Sequence, residues 1–201
     1  MTMRVAVAAS GRGSNLESLL RALGPDASAR VVLVVSNRAD AAALDRARLA
    51  GLPAEVLPDP ADAADWLARL ARHRIDLVVL AGYLRLVPTP VIAHYRDRII
   101  NVHPALLPAF GGRGMYGRHV HEAVLRSGVG ESGATVHLVD EVYDRGAVLA
   151  QARVPVLPGD TPERLAARVL ELEHRLLPAV VRAAAGAGRP VPLTEPVGSP
   201  S

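Results

Sequence analysis

The sequence predicts a doubly wound α/β domain, a mostly parallel sheet with helices on both faces. Three observations lead there. Short runs such as Val31-Val-Leu-Val-Val35 are apolar throughout rather than alternating, as strands covered on both faces are. Amphipathic helical segments separate those runs, which is the βα alternation of a parallel sheet. A glycine-rich link, Ser10-Gly-Arg-Gly-Ser-Asn15, joins the first run to the first helical segment, where this architecture places a ligand.

In chain order, strands are expected over residues 4–9, 31–36, 54–57, 77–81, 99–102, 134–139 and 148–154. Helices are expected over 15–23, 41–50, 61–73, 90–95, 118–126 and 161–185. Thr161-Pro162-Glu163 opens the last helix well: a capping hydroxyl, a proline in the first turn, then an acid. Pro178 lies inside that helix and predicts a kink or a break. Residues 1–185 read as one domain. Residues 186–201, rich in Gly, Pro, Ser and Val, read as a C-terminal extension without fixed structure.

With 201 residues, half of them hydrophobic, the chain can bury a sizeable core. It contains no cysteine, which removes disulfides, thiolate metal sites and a Cys nucleophile. It contains no lysine, so all 23 basic residues are arginine, and a Walker-type phosphate loop and a Schiff base are excluded. Net charge is +3, and the arginines are scattered rather than clustered. Aromatic residues make up 3% of the chain, which argues against a nucleic-acid stacking platform. The start of the sequence lacks a signal-peptide core, and no apolar run reaches the ~18–20 residues of a membrane span. A cytoplasmic location is expected.

Two segments carry chemistry. In the first, glycines let the backbone approach a ligand, and the N–H groups opening the helix favour an anion. Gly13, Ser14 and Asn15 are the expected phosphate contacts. A dinucleotide reading competes, but Leu16 replaces the third glycine of its fingerprint and no acid follows the second strand. NADP, with Arg38 on its phosphate, and a ligand-free turn are the remaining alternatives. In the second segment, Asn101 and His103 close a strand two residues apart and so share a face. An amide donor beside an imidazole suits a developing oxyanion. A carboxylate from the loop after the sixth strand would orient that imidazole and raise its pKa. The residues alone leave Asp140, Glu141 and Asp144 open for this role.

Four motifs occur together in order: Ser10-Gly-Arg-Gly-Ser-Asn-Leu16, Leu80-Ala-Gly-Tyr-Leu-Arg-Leu86, Asn101-Val-His-Pro-Ala-Leu-Leu-Pro108 and Val136-His-Leu-Val-Asp-Glu-Val-Tyr-Asp-Arg-Gly146. Over residues 3–185 the chain thereby resembles the phosphoribosylglycinamide formyltransferases, folate-dependent one-carbon transferases of purine biosynthesis with a Rossmann-like fold. The resemblance implies 10-formyltetrahydrofolate as co-substrate, glycinamide ribonucleotide as acceptor, no metal, and a homodimer as a family-level expectation. It implies Asn101, His103 and Asp144 as the catalytic set, thus choosing among the three acids. Glu173 would touch the nucleotide. Folate would lie against Leu84, Arg85, Leu86 and Val87, against Asn101, and under Asp140, Glu141, Val142, Tyr143 and Asp144.

The implied reaction is direct attack of the substrate amine on the formyl carbon. Protonated His103 and Asn101 would hold the tetrahedral oxyanion, and Asp144 would order a water that relays the proton. The chain departs from the family in its glycine-rich 110–117 segment, which reads as a mobile lid. It departs also at Ala147, where proline is usual, and at Leu170, where some members place a polar substrate contact. No match emerges for an arginine on the folate tail. His119 and His121 are two apart on a helix and do not share a face, so a metal pair is set aside. His137 reads as a supporting or core residue. Another folate-using formyltransferase or hydrolase, or a non-catalytic nucleotide-binding module, are the rival functions.

Overall fold

The computed structural model describes residues 2–24 and 27–193. Seven strands form one sheet in the order β3-β2-β1-β4-β5-β6-β7. They are β1 (Met3–Ala8), β2 (Ala29–Ser36), β3 (Ala54–Val56), β4 (Leu77–Leu80), β5 (Ile99–His103), β6 (Glu131–Leu138) and β7 (Val148–Pro155). The first five are parallel, and β6 and β7 pair antiparallel at one edge. The helices are α1 (Ser14–Ala22), α2 (Ala42–Leu49), α3 (Ala63–Arg72), α4 (Thr89–His94), α5 (Arg118–Ser127) and α6 (Pro162–Ala187).

The sheet divides the core in two. Val5, Val7 and Val34 face a layer that includes α1, α2 and α6, whereas Ala6, Ala8 and Leu33 face α3 and α4. Burial on both faces explains why the parallel strands read as unbroken apolar runs. The chain reverses the direction of its strand order between β1 and β4, and ligands settle where such a reversal opens a crevice.

Helix α6 starts as the sequence predicts: Thr161 Oγ1 accepts from Arg164 N–H, and Pro162 fills the first helical position. Of the kink or break expected at Pro178, the break does not occur; α6 is continuous to Ala187. Proline removes one helical hydrogen bond, but Leu172, Leu176, Leu177, Val180 and Val181 around it are all buried, and each such side chain returns about 1.5–3 kcal/mol. The extension expected over 186–201 therefore begins inside this helix. Leu193 N–H then donates to Leu149 O at 2.8 Å, so residue 193 is tied to β7. Residues 194–201 lie outside those described.

Candidate active site

The carboxyl ends of β1, β4 and β5 open onto one cleft of about 1030 Å³. Asn101 and His103 stand on β5 and both line it, as their spacing predicts. Antiparallel pairing sets His137 of β6 directly opposite Asn101. Asp144 reaches in from the loop that joins β6 to β7.

Asp144 is the carboxylate that meets the imidazole. Its Oδ1 lies 3.6 Å from His103 Nδ1, 3.5 Å from His137 Nε2 and 3.5 Å from Asn101 Nδ2. Its Oδ2 accepts from Gly112 N–H at 2.9 Å. Burial opposes its ionisation most strongly, but His137, His103 and the Gly112 amide together hold its pKa below the usual Asp value. The backbone of Asp144 is left-handed, with φ 57°. Gly111 packs on it so closely that a Cβ there would lie 3.1 Å from Asp144 Cβ and 2.5 Å from Leu107 Cδ2. The 110–117 loop is thus tied to the carboxylate at its first residues.

His103 is 3% exposed. Its Nε2 lies 2.8 Å from the Phe110 carbonyl, which can only accept, so Nε2 carries the proton and Nδ1 faces Asp144. The expectation that Asp144 raises the His103 pKa is half right. Burial lowers it most, Asp144 and the Phe110 carbonyl raise it, His137 lowers it, and the outcome is below the ordinary value. The ligand-free site therefore favours the neutral ring. Yet both ring nitrogens face acceptors, the arrangement an imidazolium needs.

His137, read from sequence as supporting or core, belongs to this hydrogen-bonded set. Its Nδ1 donates to Leu138 O at 2.7 Å, which leaves Nε2 to accept from Asn101 Nδ2 at 3.1 Å. The second Asn101 N–H meets Asp144 only at 3.5 Å, so it is loosely held and open to a ligand oxygen. His121, set aside from the sequence as a metal ligand, also stands at the site. It is 4% exposed, lines the cleft, and its Nδ1 has no partner among the described residues. Burial first, then His103, lower its pKa. Its neighbour His119 is exposed, so the two do not form a pair.

The glycine-rich link takes the predicted turn, with refinements. Gly13 caps α1 in the left-handed region at φ 76°. A Cβ there would sit 2.8 Å from Ala43 Cα, so the close pass of α2 also demands glycine. Arg12 and Asn15 line the cleft, whereas Gly13 and Ser14 do not. Asn15 was expected to aim its amide at an anion. Its Nδ2 instead donates to Glu173 Oε2 at 2.6 Å, a buried bond between α1 and α6. Burial raises the Glu173 pKa to about 7, against the lowering effect of Asn15. The anion-binding capacity here lies in the backbone N–H groups that open α1.

The opposite wall is apolar. Leu84 and Leu86 keep 46% and 50% of their surface exposed, and Val142 and Tyr143 keep 59% and 38%, all bordering the same cleft. So much apolar surface around one opening marks a binding face for a flat apolar ligand. Arg85, Val87 and Asp140 also line it. Glu141, expected with them, does not. Asp140 Oδ1 accepts from Val142 N–H, and this turn puts Glu141 beside a separate shallow recess with Arg96 and Asp97. The turn around Ala147, expected to be loose, is pinned by Leu138 N–H on Ala147 O at 2.9 Å.

Fold and site together define an α/β enzyme with an amide, an imidazole and a carboxylate at the sheet's carboxyl edge. The chain belongs to the formyl transferase family, whose model matches residues 3–181. It is similar to the chloroplastic phosphoribosylglycinamide formyltransferase of Arabidopsis thaliana, with 44% identity over 90% of this chain; it spans 64% of that protein's length. It is 38% identical to the phosphoribosylglycinamide formyltransferase of Escherichia coli, over 89% of this chain and 85% of that one. Among solved structures it resembles glycinamide ribonucleotide transformylase 1 from Symbiobacterium toebii, with TM-score 0.87 and 39% identity over 96% of this chain and 95% of that one. Among the described residues, no helix is long and apolar enough to cross a membrane.

Proposed function

We propose that this chain transfers the formyl group of 10-formyltetrahydrofolate to the amine of glycinamide ribonucleotide, in the cytoplasm, as a step of purine biosynthesis. The observation that carries the reading is the convergence of Asn101 and His103 on Asp144 Oδ1, at 3.5 and 3.6 Å, beside an apolar wall and the N-terminus of α1. The backbone N–H groups of Gly13, Ser14 and Asn15, with the Ser14 hydroxyl, would hold the nucleotide phosphate, and Glu173 would contact the same nucleotide. Leu84 to Val87 and the 140–144 loop would clasp the pterin.

The amine attacks the formyl carbon and the carbonyl oxygen becomes an oxyanion. The loosely held Asn101 N–H turns to that oxygen. As the substrates bind, His103 takes up a proton from solvent at Nδ1 and becomes the imidazolium that its two acceptors favour; it keeps that proton through the transfer and returns it to solvent when the products leave. The incoming negative charge supplies the stabilisation that burial withholds from the free site. Asp144, kept ionised, balances the imidazolium and orders a water that moves the proton from the amine to the departing folate nitrogen. No covalent enzyme intermediate is required.

Incubation with both substrates, followed by the absorbance change on forming tetrahydrofolate, tests the reading. Turnover that needs the nucleotide supports it. Formate release without the nucleotide would assign a hydrolase instead, and nucleotide binding with no turnover a non-catalytic module.

A further inference from the structure

Ser10 lies two residues past β1, where the glycine-rich turn and the apolar wall diverge, and it is 4% exposed. It makes three hydrogen bonds to other segments. Its N–H donates to Gly82 O at 3.0 Å. Its Oγ accepts from Leu84 N–H at 2.9 Å. The Oγ hydrogen points to Asn37 Oδ1, just past β2, at 2.6 Å. The hydroxyl thus has a fixed direction: Asn37 takes its proton, so a lone pair must face Leu84.

The segment it holds has little else to fix its backbone. Tyr83 and Val87 are buried and anchor the two ends; Tyr83 meets Trp66 edge to face at 5.6 Å. Between them Leu84, Arg85 and Leu86 are exposed along the cleft. A buried hydroxyl just past the neighbouring strand β1 therefore sets where Leu84 stands.

We propose that Ser10 is a positioning residue for the 84–86 backbone, and through it for the folate co-substrate. The inference rests on the assignment of this wall to folate. Ser10 itself touches no substrate.

Ser10→Ala removes the acceptor and leaves Leu84 N–H without it. The measurements are KM for both substrates, kcat, folate-analogue Kd by calorimetry and the thermal midpoint. Expected is a rise of about five- to tenfold in folate KM and Kd, the scale of one lost hydrogen bond, with nucleotide KM and kcat within about twofold. Ser10→Thr, which keeps the hydroxyl, restores the folate values. A second variant, Asn37→Ala, leaves the serine in place but removes what aims it, and a smaller rise in the same two constants is expected. Unchanged folate constants in both Ser10→Ala and Asn37→Ala overturn the proposal. So does an equal rise in both KM values, or a lower thermal midpoint with no change in folate Kd. Failure of the unsubstituted chain to bind the folate analogue at all would instead sink the functional assignment, and this inference with it.

Discussion

Asp144 Oδ1 stands 3.6 Å from His103 Nδ1, while Asp144 Oδ2 is fixed by the Gly112 amide. One carboxylate therefore joins this imidazole to the glycine-rich loop. Asp144→Asn keeps the shape and removes the charge. Turnover should fall by about 10²–10³, the scale of losing one major source of oxyanion stabilisation. The His103 pKa, followed by NMR, should fall further, because the carboxylate is what raises it. Nucleotide affinity by calorimetry should stay near that of the unsubstituted chain. Near-full activity would remove Asp144 from the mechanism. His103→Ala should show the same separation of turnover from binding.

Gly111→Ala tests the packing on that carboxylate. Its Cβ would press on Leu107 Cδ2 and Asp144 Cβ, so one of them must move. A stability loss of about 1–3 kcal/mol is expected from overpacking, together with a drop in kcat. Urea titration and steady-state kinetics read the two effects. An unaltered kcat would mean that Asp144 does not depend on this contact.

Ser14→Ala and Asn15→Ala should both raise nucleotide KM, but with different side effects. The Ser14 hydroxyl makes no hydrogen bond to another described residue, so its loss should leave the thermal midpoint unchanged. Asn15 is bonded to buried Glu173, so Asn15→Ala should lower the midpoint as well. Unchanged nucleotide KM in both variants would remove the phosphate from the α1 terminus.

Glu173 links stability to pH. Its folded pKa, about 7, lies above the ordinary value of 4.5, so the folded chain holds this proton more tightly than the unfolded one. The resulting stability is fully present below about pH 4.5 and is lost as pH rises through about 7. Glu173→Gln keeps an acceptor for Asn15 and removes the titration. Its stability relative to the unsubstituted chain should rise by up to about 3 kcal/mol between pH 4 and 8. A difference that does not change with pH, by chemical denaturation, would refute this.

The sheet was legible because parallel strands buried on both faces leave unbroken apolar runs, and every expected element is present with ends displaced by three residues at most. Asn101 and His103 were legible from their two-residue spacing. His137 was legible as a supporting or core residue, but its particular partner was not, because that depends on pairing opposite Asn101 in an antiparallel β6, and an apolar run does not reveal strand direction. Nor was the Phe110 carbonyl, since a main-chain acceptor carries no sequence signal. The choice of Asp144 over Asp140 and Glu141 depends on a turn that sends Glu141 away from the cleft. The continuity of α6 through Pro178 was not legible, because the local cost of proline is visible in sequence and the packing around it is not.

The Asn15–Glu173 bond spans 158 residues. A ribosome therefore releases the glycine-rich turn long before the helix that completes it. Until α6 has emerged and docked, Asn15 lacks its partner and the cleft lacks the wall carrying Glu173. A chain that ends before α6 lacks both Glu173 and the apolar face that α6 packs on the sheet, and so cannot present the proposed nucleotide site. The proposed site is thus completed only when α6 docks.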